Sequence, residues 1–133
     1  MTGRSNTMEA LRVSLRILLS LMMLAIAAQF FFAAAGAFGA TSYDTHKKIG
    51  AALVIAGLVA LVVAAVTRSF VIPIAIGAAL LVVQDVLGHY GFRHPWLGAL
   101  HGLNALAIGA VFGSTTGRAW RAARRSPATP QLS

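Results

Sequence analysis

The chain has 133 residues, of which 58% are hydrophobic and 11% charged, with a mean hydropathy of +0.78. A soluble domain carries about a quarter charged residues, and a disordered chain is poor in apolar groups, so both classes are excluded. Without cysteine there are no disulfides, zinc–thiolate sites or iron–sulfur clusters. The length allows one domain, and a small integral membrane protein remains.

Four apolar stretches follow one another at 17–38, 49–66, 70–88 and 96–113. Each is about 18–22 residues, enough to cross roughly 30 Å of hydrocarbon as a helix. Alternation of period two is absent, so a β-barrel is not expected. The first stretch follows Arg12 and Arg16 and ends Ala-rich near Ala40, as a signal peptide does. It exceeds the usual 7–15-residue signal core, and it reads as a retained helix. The links at 39–48, 67–69 and 89–95 are short, which makes sequence neighbours antiparallel. Asp44 or Thr45 is a candidate cap for the second helix. Pro73 and Pro95 suit the first turns of the third and fourth.

The expected fold is therefore all-α: a transmembrane four-helix up-down-up-down bundle over residues 1–116. A basic tail follows at 117–133, and 126–133, with two prolines, reads as a frayed end. Arg4, Arg12, Arg16, Arg68, Arg118, Arg121, Arg124 and Arg125 fall on one side, and Lys47, Lys48 and Arg93 on the other. The positive-inside rule then puts both termini in the cytoplasm of a multi-pass plasma-membrane protein. The net charge of +8 reads as topogenic charge, with Trp120 at the interface, and not as a nucleic-acid surface. No repeat of 20–50 residues is evident. Gly98 and Gly102 form a G-x-x-x-G, a weak packing signal in this composition.

The polar residues are the informative part. His46, His89, His94 and His101 all lie toward the non-cytoplasmic end, with Gln29, Gln84 and Asp85 in the same half of the bilayer and Asn104 one turn below His101. Intramembrane polar residues are costly and usually face the bundle interior at a site. Histidines at the ends of different helices suit haem, whose iron takes axial imidazole between facing helices. His46, Gly50 and Gly57 share a helical face, and Gly36 and Gly88 lie near that level, offering room for a porphyrin. Lys47, Lys48 and Arg93 at the rim are placed to pair with propionates.

Each residue also has a plainer reading. His46 beside two lysines suits a solvated interfacial position. His101 suits a helix–helix hydrogen bond to Gln84 or Asn104. His89 suits an i, i+4 pair with Asp85, His94 a bystander position in a loop, and Gln29 an interhelical contact. Phe30, Phe31 and Phe32 are expected to face lipid and neighbouring helices. Depth poses an objection, because His101 lies about 7.5 Å inside Trp96 whereas His46 sits near the surface. His46 with His101 is the best axial pair, and His89 with His101, or a single ligand, stays open. No nucleophile–base–acid set, zinc-protease spacing, P-loop or dinucleotide fingerprint exists. Helices one, two and four hold no acid for a long proton relay.

The run Gln29-Phe30-Phe31, His46 with Gly50, Gln84, and Leu100-His101-Gly102-Leu103-Asn104-Ala105 resembles an uncharacterised family of small four-helix membrane proteins common in high-GC Gram-positive bacteria. The resemblance covers roughly residues 12–115. It implies that Gln29, His46, Gln84, His101 and Asn104 act as a set, and it supplies no activity. A looser similarity is to b-type cytochromes, without the paired histidines of the respiratory two-haem pattern. The expected function is a small haem b protein, ligated by His46 and His101, that exchanges electrons with quinone or a partner at the outer face. The alternatives are a non-catalytic subunit of a larger membrane complex, a small-ligand or lipid-binding bundle, and, for assembly, a homo-oligomer.

Overall fold

The computed structural model describes residues 2–125 and contains four helices: α1 (Thr2–Ala37), α2 (Asp44–Thr67), α3 (Val71–Gly91) and α4 (Pro95–Arg125). All four are long and apolar enough to cross a membrane. No strand occurs among the described residues.

The helices overrun the apolar stretches. α1 starts at Thr2 instead of 17, and α4 runs to Arg125, so 117–125 of the expected tail continues the last helix. Hydropathy marks where a helix meets lipid, whereas Arg, Ala, Leu and Met are good helix formers whether or not lipid surrounds them. Residues 126–133, read as a frayed end, lie outside the described residues. α2 begins at Asp44, five residues before its apolar stretch, and this early start matters for the site. Neither expected cap is used. Asp44 is already in the first turn, and Ser42 Oγ accepts from its N–H at 3.3 Å and donates to its Oδ2 at 3.0 Å.

Two helix ends are closed by left-handed residues. After α1, Gly39 (φ 74°) lets the Ala40 N–H reach Ala35 O at 2.8 Å, the usual glycine solution. After α2, Arg68 (φ 52°) occupies the same position, and the Ser69 N–H reaches Ala64 O at 2.9 Å.

The core follows a four-three spacing on every helix: Leu15, Leu19, Met22 and Ile26; Leu53, Gly57, Ala60 and Ala64; Ile74, Gly77 and Leu81; Ile108, Phe112, Thr115 and Ala119. That is the knobs-into-holes seam of a bundle. Packing runs α1–α2, α2–α3, α3–α4 and α1–α4, a closed ring. Large and small residues interlock across it. Phe112 packs over Gly77, where a Cβ would come within 2.7 Å of the ring, and Leu81 packs over Gly57. Thr67 and Thr115 return their buried hydroxyls to Val63 O and Val111 O of their own helices. Leu24, Phe31, Ile55, Ile72, Leu103 and Leu106 stay more than 60% exposed, an apolar surface that suits lipid and not water.

At the arginine-rich end, Trp120 of α4 donates its indole N–H to Ser20 of α1 at 3.0 Å. The Arg16 guanidinium lies 5.8 Å from the same ring and pairs with Glu9 at 3.2 Å. Trp120 therefore ties α1 to α4 as well as sitting near the end of the apolar segment.

Candidate functional site

The core spacing continues past the last large apolar layer, and what stands at those positions builds the site. After Ile26, α1 offers Gln29 and Ala33; after Leu81, α3 offers Gln84 and Gly88. Before Leu53, α2 offers Gly50 and His46; before Ile108, α4 offers Ala105 and His101. Small and polar residues replace the Leu, Ile and Phe of the other layers. The bundle cannot close there, and a cavity of about 660 Å³ opens between the four helices. Ile26, Leu53, Leu81 and Ile108 are among its apolar lining. Its size falls within the roughly 300–1,000 Å³ range of ligand sites.

His46 and His101 face each other in this cavity, with ring centres 6.1 Å apart and planes crossed at 63°. His46 Nδ1 lies 3.2 Å from Gln29 O, and His101 Nδ1 lies 3.1 Å from Gln84 O. A backbone carbonyl only accepts, so each Nδ1 carries the proton and donates it. The lone pair of each imidazole is thereby left on Nε2. The depth objection disappears because α2 begins early, so that His46 lies inside the helix and opposite His101. The expected contact of His101 with Gln84 is present, made by the main chain of Gln84 and not by its amide.

Asn104 serves Gln84 instead. Its Nδ2 donates to Gln84 Oε1 at 2.7 Å and to Leu80 O at 3.0 Å. Gln29 has no such partner: its Oε1 is buried and unpaired, and its Nε2 lies against Gly50, where a Cβ would come within 2.9 Å. Lys47, Asp85 and His89 line the cavity, whereas Lys48, Arg93 and His94 do not. Of the expected rim cations only Lys47 is at the site. Among the described residues no ion pair joins His89 to Asp85; the His89 ring packs on Tyr90 at 4.9 Å. Phe30 lines the cavity, and Phe31 is 67% exposed as expected for a lipid-facing ring.

Of the glycines expected to give room for a porphyrin, Gly50 and Gly88 line the cavity. Gly57 and Gly36 are filled, by Leu81 and by the Tyr43 ring, and Gly88 also seats the His101 ring, at 3.0 Å from a built Cβ. Within the G-x-x-x-G, Gly98 packs on Gly91, and Gly102 has nothing near it.

Tyr43 was not anticipated as a site residue. It lies in the lining, 6.3 Å from the His46 ring and 5.5 Å from Phe92. Its place in a loop outside every apolar stretch gave no signal, and its seat, Gly36, is seven residues away. No group of three or more His, Cys, Asp or Glu side chains converges among the described residues. No protein-family model, curated protein sequence or solved structure matches this chain.

Proposed function

We propose that this protein is a small multi-pass plasma-membrane haem b protein, an up-down-up-down bundle with both termini cytoplasmic, whose axial ligands are His46 and His101. The observation that carries the reading is the opposed pair of imidazoles in one cavity, each with Nδ1 tied to a glutamine carbonyl and Nε2 left free. A second-sphere hydrogen bond on the far nitrogen is what orients a metal-bound histidine and raises its basicity. His46 and His101 would hold the haem between them, their ring centres lying 6.1 Å apart across the cavity.

The donor set discriminates among metals. A protein zinc site needs three or four side-chain ligands, and no such cluster converges among the described residues. A porphyrin brings four nitrogens of its own and asks the protein for one or two. Lys47 at the cavity wall would pair with a propionate, and the apolar lining around Ile26, Leu53, Leu81 and Ile108 would hold the macrocycle. Bound haem supplies a one-electron carrier. The site would lie toward the outer face, where a quinone or a protein partner exchanges the electron.

The test is the haem content of the full chain, purified in detergent from cells supplied with haem precursor. A single haem per chain is expected, lost in His46→Ala and His101→Ala and kept in His89→Ala and His94→Ala. A haem-free wild-type protein overturns the reading.

A further inference from the structure

Shifting the chain by 55 residues carries Gln29 onto Gln84, Gly36 onto Gly91 and His46 onto His101. The buried positions move in the same register. Leu19, Met22 and Ile26 fall on Ile74, Gly77 and Leu81, and Leu53, Gly57, Ala60 and Ala64 fall on Ile108, Phe112, Thr115 and Ala119. The contacts move too. His46 on Gln29 O becomes His101 on Gln84 O, and the Gly36–Tyr43 contact becomes Gly91–Gly98. The same shift carries the α1–α2 pair onto the α3–α4 pair, and each pair contributes one histidine and one glutamine carbonyl to the cavity.

The symmetry breaks at one informative place. Asn104 clamps the Gln84 amide, and its counterpart 55 residues earlier is Ile49, which has nothing to donate. The two half-sites are alike in backbone and imidazole. One glutamine amide is satisfied, and the other is left with a buried unpaired oxygen.

We infer that the cavity is a duplicated site with one closed and one open half, and that the Gln29 amide is the side chain that hydrogen-bonds the occupant's polar edge. This rests on the cavity being a ligand site, and not on which ligand fills it. The occupant is a planar, largely apolar molecule with an O–H or N–H on its polar edge, because the open atom, Gln29 Oε1, only accepts. Under the haem reading that donor is the protonated carboxyl of one propionate.

An unpaired buried amide costs stability in the empty protein, and its removal costs nothing further, whereas removing one partner of a satisfied pair strands the other. Pseudo-equivalent substitutions should therefore diverge. In the full chain in detergent without ligand, Gln29→Leu is expected to leave the Tm unchanged or raised, and Gln84→Leu to lower it. Ile49→Asn, which grafts the missing clamp, is expected to raise the Tm, and to lose that gain when combined with Gln29→Leu. With hemin as the probe, Gln29→Leu and Ile49→Asn are each expected to weaken binding about tenfold. Equal loss of Tm in Gln29→Leu and Gln84→Leu overturns the inference. So does an Ile49→Asn effect on Tm that ignores Gln29, or hemin binding unchanged in Gln29→Leu. Should the wild-type chain bind no hemin, the haem reading fails by itself, and the thermal comparison still decides between a closed and an open half.

Discussion

Gly88→Ala is expected to unseat His101 while leaving its chemistry intact. A methyl built on Gly88 lies 3.0 Å from His101 Cε1 and 3.2 Å from Nδ1, a few tenths of an ångström inside ordinary contact. The ring cannot retreat freely, because Nδ1 is held to Gln84 O at 3.1 Å and the ring faces His46. Overpacking a fitted site costs about 1–3 kcal/mol. Alanine recovers about 0.5–1 kcal/mol of helix propensity over glycine, so the net loss is about 1 kcal/mol. Gly50→Ala is the matched control. Its methyl would meet Gln29 Nε2 at 2.9 Å, the far end of a flexible side chain that can swing aside, so the propensity term is left and a net gain of up to about 0.5–1 kcal/mol is expected. Thermal unfolding in detergent, with hemin titration alongside, reads both variants. The reasoning is refuted if Gly88→Ala and Gly50→Ala shift the Tm equally, or if Gly88→Ala binds hemin like the wild type.

Gly77→Ala should destabilise the bundle by about 1–2 kcal/mol net of the helix-propensity gain, because its methyl would meet the fully buried Phe112 ring at 2.7 Å; a Tm at or above wild type contradicts the packing. Arg68→Gly should raise stability by about 1 kcal/mol, since a left-handed residue at a helix end favours glycine, and equilibrium unfolding checks it. Trp120→Phe keeps a ring over Arg16 and loses the indole bond to Ser20. It should cost less than about 1.5 kcal/mol without changing hemin binding, and a loss of binding would show that the two ends of the bundle are coupled.

The four helices and their order were legible because apolar length alone specifies a spanning helix, and Pro73 and Pro95 fell where expected. Helix ends were not legible, since Arg and Ala continue a helix beyond its apolar stretch, as 117–125 do. The histidine level was readable from the clustering of His46, His101, Gln29 and Gln84 at one depth. Their hydrogen bonds were not, because the acceptors are main-chain carbonyls, which no side-chain pattern announces. The glycines were legible in part: Gly50 and Gly88 line the cavity, but only packing reveals that Leu81 and Tyr43 take the room beside Gly57 and Gly36. The 55-residue correspondence is not legible in the sequence because few residue identities survive it. What it preserves is burial and register, as in Leu53 against Ile108 and Ala60 against Thr115.

The central claim is best tested by the optical spectrum of the detergent-purified full chain, oxidised and then reduced with dithionite, with carbon monoxide added last. A haem held by both His46 and His101 predicts a Soret band, sharp α and β bands on reduction, and no shift with carbon monoxide because both axial positions are filled. A featureless spectrum from cells well supplied with haem, or a wild-type haem that binds carbon monoxide freely, would contradict it.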